Sequence, residues 1–285
     1  MTLTFTTRAP GDDPNLLKGE GMKHLRVIVA DQQSGEVRFN YTHEFDQEET
    51  THTVHFGDLY AGRTYDFYAI ANEASFGGDF SSYAEHGDLG DENVLLNYSI
   101  TTADPNTLIT ESLPAAGKAR IAVQEAADQQ LTITMQRAVA KAKVTFVNET
   151  GAAQTITNVR LVKVGAENTV LFPRTSGLPV ATKDVPLGDV SVDAADGASG
   201  NVTGYFYEST APTDGYALEA TWNNNTKHFS LADDMEGGAA ISSQILRNQM
   251  LNITITLKAN PEEVDIQLLV EPWDEKTDIT IPPFE

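Results

Sequence analysis

Leu131 to Asn148, LTITMQRAVAKAKVTFVN, carries two alternating patterns that are out of phase with each other. In the first part the apolar residues are odd: Leu131, Ile133 and Met135, with Thr132, Thr134 and Gln136 between them. From Ala138 the small and apolar residues are even: Ala138, Ala140, Ala142, Val144 and Phe146. Side chains alternate faces along a strand, so a slip of one residue moves the buried set to the opposite face. One strand cannot serve both halves. The economical solution is that the first half closes one β-sandwich and the second opens another, with Arg137 at the seam. The expectation is two all-β domains in tandem, 1–137 and 138–285, each of ordinary domain size.

The rest of the chain reads the same way. Thr2 to Thr7 alternates with Leu3 and Phe5 on one side, and RAPGDDP then breaks the pattern. Strand patterns follow at MKHLRVIVAD from Met22, at 37–41, 51–56 and 63–72, and at ARIAVQE before the seam. Beyond it come 155–164, 169–172, a polar loop of 25 or so residues running to Gly200, and strands at NVTGYFYES, GYALEATWN and TKHFSLA. The alternation of Leu251, Ile253, Ile255 and Leu257 is the most regular in the chain, and Val264, Ile266, Leu268 and Val270 continue it. Between Glu73 and Glu111 the patterns are weak, and VLLNYSI fits a short helix or a strand. No segment carries a sustained apolar helix period, and many short strands separated by turn residues mark sandwiches.

Composition narrows the function. Forty-one acidic residues against 19 basic ones leave a formal net charge of −22, which repels nucleic acid and anionic membrane surfaces. With no cysteine there is no disulfide, thiolate metal site or cysteine nucleophile. The opening MTLTFTT lacks the basic start and apolar core of a signal peptide, so the protein is either cytosolic or has lost an export signal; a strand directly after Met1 favours the second. No Gly-x-Ser-x-Gly elbow, Walker or Rossmann spacing occurs, and the expectation is a protein that is not an enzyme and takes no cofactor.

The remaining chemistry-bearing residues have plain readings. His52 and His55, three apart on a strand, point to opposite faces and cannot share a metal. The acidic runs Glu44 to Glu49, Asp88 to Glu92 and Asp233 to Glu236 lack calcium-loop spacing and read as solvated loops. Trp222 is in phase with the core positions Tyr216, Leu218 and Ala220, whereas Trp273 follows a strand and is the better candidate for an exposed ligand platform.

Several stretches together resemble the fimbrillins of Bacteroides-type bacteria: RAPGDD before KHLRVIVAD, LPAAGKARIAV, RAVAK at Arg137 to Lys141, YFYES, and RNQMLNITITLKA with VEPW. The likeness runs from Arg8 to Trp273. It implies two transthyretin-like sandwiches, a lipoprotein precursor carried to the outer membrane, and proteolytic processing after an arginine, matched here by Arg8 before Ala9. Cleavage would release the strand holding Leu3 and Phe5, taken as a replaceable edge, and a strand from another fimbrial subunit would fill the groove. The matching donor is the segment after Trp273, with Ile279 and Ile281 as its apolar residues. Pro282 and Pro283 cannot donate ladder hydrogen bonds, which leaves Asp278 to Ile281 as the pairing stretch unless the donor starts earlier. The reading is a structural, accessory or tip subunit of a cell-surface fimbrium, its partners other subunits. The alternative is a monomeric surface adhesin or lectin recognising a host protein or glycan.

Overall fold

A computed structural model describes residues 1–7, 18–101, 104–107, 112–125, 129–174, 176–231, 243–260 and 264–273. It is nearly all strand, as the period-two patterns require. In the first half, β2 (Met22–Asp31), β3 (Val37–Glu49), β5 (Thr64–Ala71), β7 (Ala115–Ala122) and β9 (Gln136–Arg137) form one sheet in the order β3-β2-β5-β7-β9. A smaller sheet, β4-β1-β8, is built from β1 (Thr2–Thr6), β4 (Thr51–His55) and β8 (Gln130–Thr134). Leu3, Phe5, Val54 and Ile133 from the small sheet share one apolar cluster with Leu25, Val27, Val29, Tyr65 and Phe67 from the large one.

The second half holds two four-stranded sheets. β14 (Ala198–Phe206), β10 (Ala140–Glu149), β19 (Gln249–Lys258) and β20 (Val264–Pro272) make one, in that order. β13 (Lys183–Val192), β11 (Gln154–Gly165), β16 (Ala217–Trp222) and β17 (Asn225–Ser230) make the other. Val144, Phe146, Ile253 and Ile255 meet Ile156, Leu161, Leu218 and Trp222 in the second cluster. Among the described ladders one crosses residue 137, the short pairing of Ser99–Ile100 (β6) with Thr169–Val170 (β12). A third cluster draws on both halves: Ile28, Tyr68 and Ala116 pack with Val139, Leu171, Phe172, Tyr205 and Tyr207.

The phase slip is where the chain changes sheets. β8 lies in the small sheet of the first half, β9 touches the large one, and β10 enters the second half. Ile133 and Met135 are buried in the first cluster, and Ala140, Ala142, Val144 and Phe146 in the second. Leu131 departs from the expected pattern: it is exposed, because it lies at the outer end of β8. Val139 and Lys141, on the nominally outward face, are both buried, Val139 within the third cluster.

Three further expectations are corrected. Thr2 to Thr7 is not an edge: β1 is the middle strand of its sheet, antiparallel to β4 and parallel to β8. The strand read as 37–41 continues to Glu49, so the acidic run Glu44 to Glu49 is strand and not loop; Glu44 and Asp46 face solvent at the sheet edge, which tolerates charge. The supposed polar loop before Gly200 contains β13, an edge strand whose Pro186 and bulge at Gly188 (φ 98°) hid the alternation of Val185, Val190 and Val192. VLLNYSI resolves into a short helix, α1 (Glu92–Leu96), followed by β6.

The crossing from β8 to β9 runs close over β7. A β-carbon added at Gly117 would meet the Thr134 carbonyl oxygen at 2.6 Å and Met135 Cα at 3.2 Å, both backbone. Backbone cannot rotate aside as a side chain can. Gly117→Ala is therefore expected to destabilise by about 1–3 kcal/mol through overpacking, read as a lowered urea midpoint with an unchanged slope.

Candidate functional site

The alternation T-L-T-F-T places Leu3 and Phe5 inward, both fully buried, while Thr2 and Thr4 face outward. Opposite them on β4 the ladder runs from Thr2↔His55 to Thr6↔Thr51, and on β8 from Thr2↔Gln130 to Thr6↔Thr134. The ends of the slot are tied by backbone bonds: Thr2 N–H to the Gln129 carbonyl (2.8 Å), Phe56 N–H to Met1 (2.9 Å), Thr7 N–H to Thr50 (3.0 Å) and Met135 N–H to Thr6 (2.8 Å). On the outer face the Thr4 and Thr53 hydroxyls lie 3.1 Å apart. Both long sides of β1 are thus occupied, so its loss would leave two facing rows of unpaired backbone groups with an apolar trough between them.

One wall of the slot is made of rings. β3 ends at Glu49 and β4 starts at Thr51, a sharp corner that carries the chain from the large sheet to the small one. Inside that corner the imidazoles of His43 and His52 stack with centroids 4.2 Å apart and planes 17° from parallel. Phe45 meets both rings edge-on, and the Tyr41 hydroxyl lies 3.1 Å from His52 Nε2. Burial, and after it the neighbouring His43, hold the His52 imidazole below its ordinary pKa; burial raises that of the Tyr41 phenol. His55 sits on the other face of β4, beside Thr2 Oγ1, as its odd spacing from His52 requires.

A second constellation lies where the two halves meet. Glu20 is buried, and its Oε1 accepts from Lys141 Nζ (2.6 Å) and from the Tyr205 hydroxyl (2.9 Å). Arg137, also buried, donates from Nε to the Glu20 carbonyl (3.2 Å) and from Nη1 to Asn248 Oδ1 (3.4 Å). Trp273 closes this group: its ring stacks on Tyr205 at 5.7 Å, with the Arg137 guanidinium 4.6 Å and the Lys141 ammonium 5.2 Å from its centroid. Burial and the Glu20 carboxylate raise the pKa of the Tyr205 phenol. Trp273 is thus a half-buried cover over two cations, where the sequence pattern allowed an exposed ring. Trp222 is buried as its phase indicated, its Nε1 donating to Gln154.

Of the residues singled out in the sequence, Leu3 and Phe5 meet in the trough, whereas Arg8, Ala9, Ile279 and Ile281 lie outside the described residues, as does the run Asp233 to Glu236. The other acidic runs have definite duties. Glu48 accepts from the Gly19 and Gly21 amides, and Glu92 from the Tyr68 hydroxyl and Lys118. Among the described residues no group of three or more His, Asp or Glu side chains is placed to hold a metal ion. Glu20, Lys141, His43 and Tyr41 were not singled out for the contacts they make. For Tyr41 and His43 the one available signal was polarity on positions in phase with Val37 and Phe39; Glu20 and Lys141 carried none.

No protein-family model matches the sequence, and no curated protein sequence matches it. The fold does find counterparts among solved structures. The C-terminally truncated tip fimbrial protein Mfa3 of Porphyromonas gingivalis superposes with a TM-score of 0.59 at 16% identity, covering 95% of this chain and 99% of that one. The fimbrilin of P. gingivalis W83 gives 0.55 at 14%, with 97% and 98% covered. A fimbrial assembly protein of Parabacteroides distasonis gives 0.55 at 13%, with 97% and 96% covered. The chain has the fold of these fimbrial proteins, in keeping with the resemblance carried by its motifs.

Proposed function

We propose that this chain, sharing its fold with fimbrial proteins over nearly its whole length, is a non-enzymatic component of a cell-surface fimbrium that joins other subunits by exchanging β1 for a strand of a neighbour. The observation that carries the reading is the place of β1: a five-residue strand at the start of the chain, yet central in its sheet. Cleavage between Arg8 and Ala9 frees it from the rest of the chain. Burial of Leu3 and Phe5 stabilises by about 1.5–3 kcal/mol each, and each ladder bond by about 1 kcal/mol net. A vacated slot offers the same gain to any strand of like pattern.

The chain's own last segment has that pattern. Asp278-Ile279-Thr280-Ile281-Pro282 laid on Thr2-Leu3-Thr4-Phe5-Thr6 puts Ile279 and Ile281 at the two buried positions and Thr280 at the Thr4 position. Pro282 then falls at Thr6 and Pro283 at Thr7, whose amide in the resident strand donates to Thr50. A proline there donates nothing, so this segment is a weaker occupant than β1. That favours an accessory or tip position with a different subunit as partner over a long homopolymer. The division into two transthyretin-like sandwiches, 1–137 and 138–285, belongs to the same proposal and is supported by the confinement of all described ladders but one to a single side of the seam. So do the outer-membrane location and the lipid-anchored precursor, which rest on the family resemblance alone.

Cleavage at Arg8 by limited trypsin treatment, followed by size-exclusion chromatography at moderate concentration, tests the reading. The expected result is loss of residues 1–8 with conversion to oligomers, blocked both by Arg8→Ala and by excess TLTFTT peptide. A chain that sheds the strand and stays monomeric, alone and with donor-segment peptide, would overturn it.

A further inference from the structure

The stacked imidazoles sit on the wall of the slot, and the proposed exchange makes no use of them. His52 pairs with Phe5 in the β1 ladder, and His43 pairs with Leu25 in the large sheet. Phe5 and Leu25 are both fully buried, so the two rings face one another across the interior, one from each sheet. β3 and β4 share no ladder, and ring contacts hold their corner together. We propose that the His43–His52 pair is an acid-sensitive latch on the β1 slot: in mildly acidic surroundings the protonated pair parts β4 from β3, and β1 is released and exchanged more readily.

Among the described residues no carboxylate is paired with either ring. On β3, Glu44 leans to His24 on the opposite face (3.7 Å), Glu48 is committed to the Gly19 and Gly21 amides, and Asp46 and Glu49 are exposed beside the corner. On β2 the neighbouring charges, His24 and Arg26, point to the other face, where Arg26 is bound to Glu73. β4 adds His55, on its outer face, and β1 carries no titratable side chain. A depression of about 420 Å3 lined by His43, Glu44, Phe45, Asp46, Gln47 and Glu49 opens the His43 side of the pair to water. Tyr41 responds too, since an imidazolium can only donate and the Tyr41 hydroxyl beside it must then accept.

The direction in pH follows from the base involved. Burial and His43 depress His52, so the closed form binds its proton more weakly than the open form does. Closure is favoured fully above the ordinary histidine value of about 6.5 and weakens as pH falls through and below it. The latch rests on β1 being the strand that exchanges, but its opening is measurable without any partner.

Hydrogen exchange of the Leu3 to Thr7 amides in the intact chain, referenced to the Ile253 and Ile255 amides of β19 to remove the intrinsic pH effect, reads it directly. The expected result is at least a tenfold larger opening constant at pH 5.5 than at pH 7.5. The change should fall below threefold in His52→Gln and vanish in His43→Phe/His52→Gln. Equal relative protection at both pH values in the unaltered protein, or an acid effect that survives the double substitution, would overturn the proposal. Should the double variant not fold, titration of the His43 and His52 ring protons by NMR in the unaltered chain decides: the latch requires β1 opening to track them. Acid opening without strand uptake at any pH would sink the fimbrial exchange and leave the latch standing.

Discussion

Lys141→Met is expected to lower the unfolding free energy by about 3–5 kcal/mol. The ammonium is the charged partner of Glu20, 2.6 Å away in a place where both side chains are buried. Removing it strands a carboxylate that has, among the described residues, only the Tyr205 hydroxyl left as a direct side-chain donor. The companion substitution separates the worth of the pair from the cost of breaking it. Glu20→Gln/Lys141→Met leaves, among the described residues, no buried charge at this spot beyond Arg137 and should recover most of the loss, since the new amide can still accept from the Tyr205 hydroxyl and no uncompensated carboxylate is buried. Urea unfolding of the single and double variants checks both, with the slope showing whether the transition remains cooperative. A single-variant loss below about 1 kcal/mol would mean that water reaches Glu20 and that the junction is not sealed, since exposed pairs contribute little. The same experiment bears on organisation: the pair and the third cluster join the halves, so the parent protein should unfold in one transition and Lys141→Met is the variant in which two would separate.

Phe5→Ala has the second large effect, and its form differs. Truncating a fully buried phenylalanine costs about 3–5 kcal/mol, but β1 precedes every other described strand and can open without the rest unfolding. The loss should therefore appear as local opening of β1, through faster exchange of the Leu3 to Thr7 amides, with a global midpoint that moves much less. Once Arg8 is cut, the truncated strand should also be displaced faster. Each 1.4 kcal/mol is a factor of ten in equilibrium, so about 3 kcal/mol favours the incoming strand roughly a hundredfold. Thr4→Ala is the control, because its hydroxyl meets Thr53 on the outer face and little packing is lost. Equal displacement of the Phe5→Ala and parent strands would show that Phe5 is not what retains β1.

Side-chain alternation alone was enough to establish the class of fold, since a period of two survives whatever the strands pack against. It marked Leu3, Phe5, Trp222 and the regular run Leu251 to Leu257 as inward, and the slip between Met135 and Ala138 as a change of sheet. Strand order is not written in that pattern. β1 reads the same at an edge as at the centre, and its central place arises from pairing with β4 and with β8, more than a hundred residues away. β13 escaped notice because Pro186 is tolerable on an outer strand and Gly188 sits at a bulge, and being outer is a property of the assembled sheet. Lys141 and Trp273 look like surface residues until the two halves close over them. His43 and His52 become a pair only when the corner at Thr50 folds one sheet onto the other. The local preference of each residue is set by its own side chain; which buried charges and rings meet depends on contacts distant in sequence, and these exist only once the chain has closed.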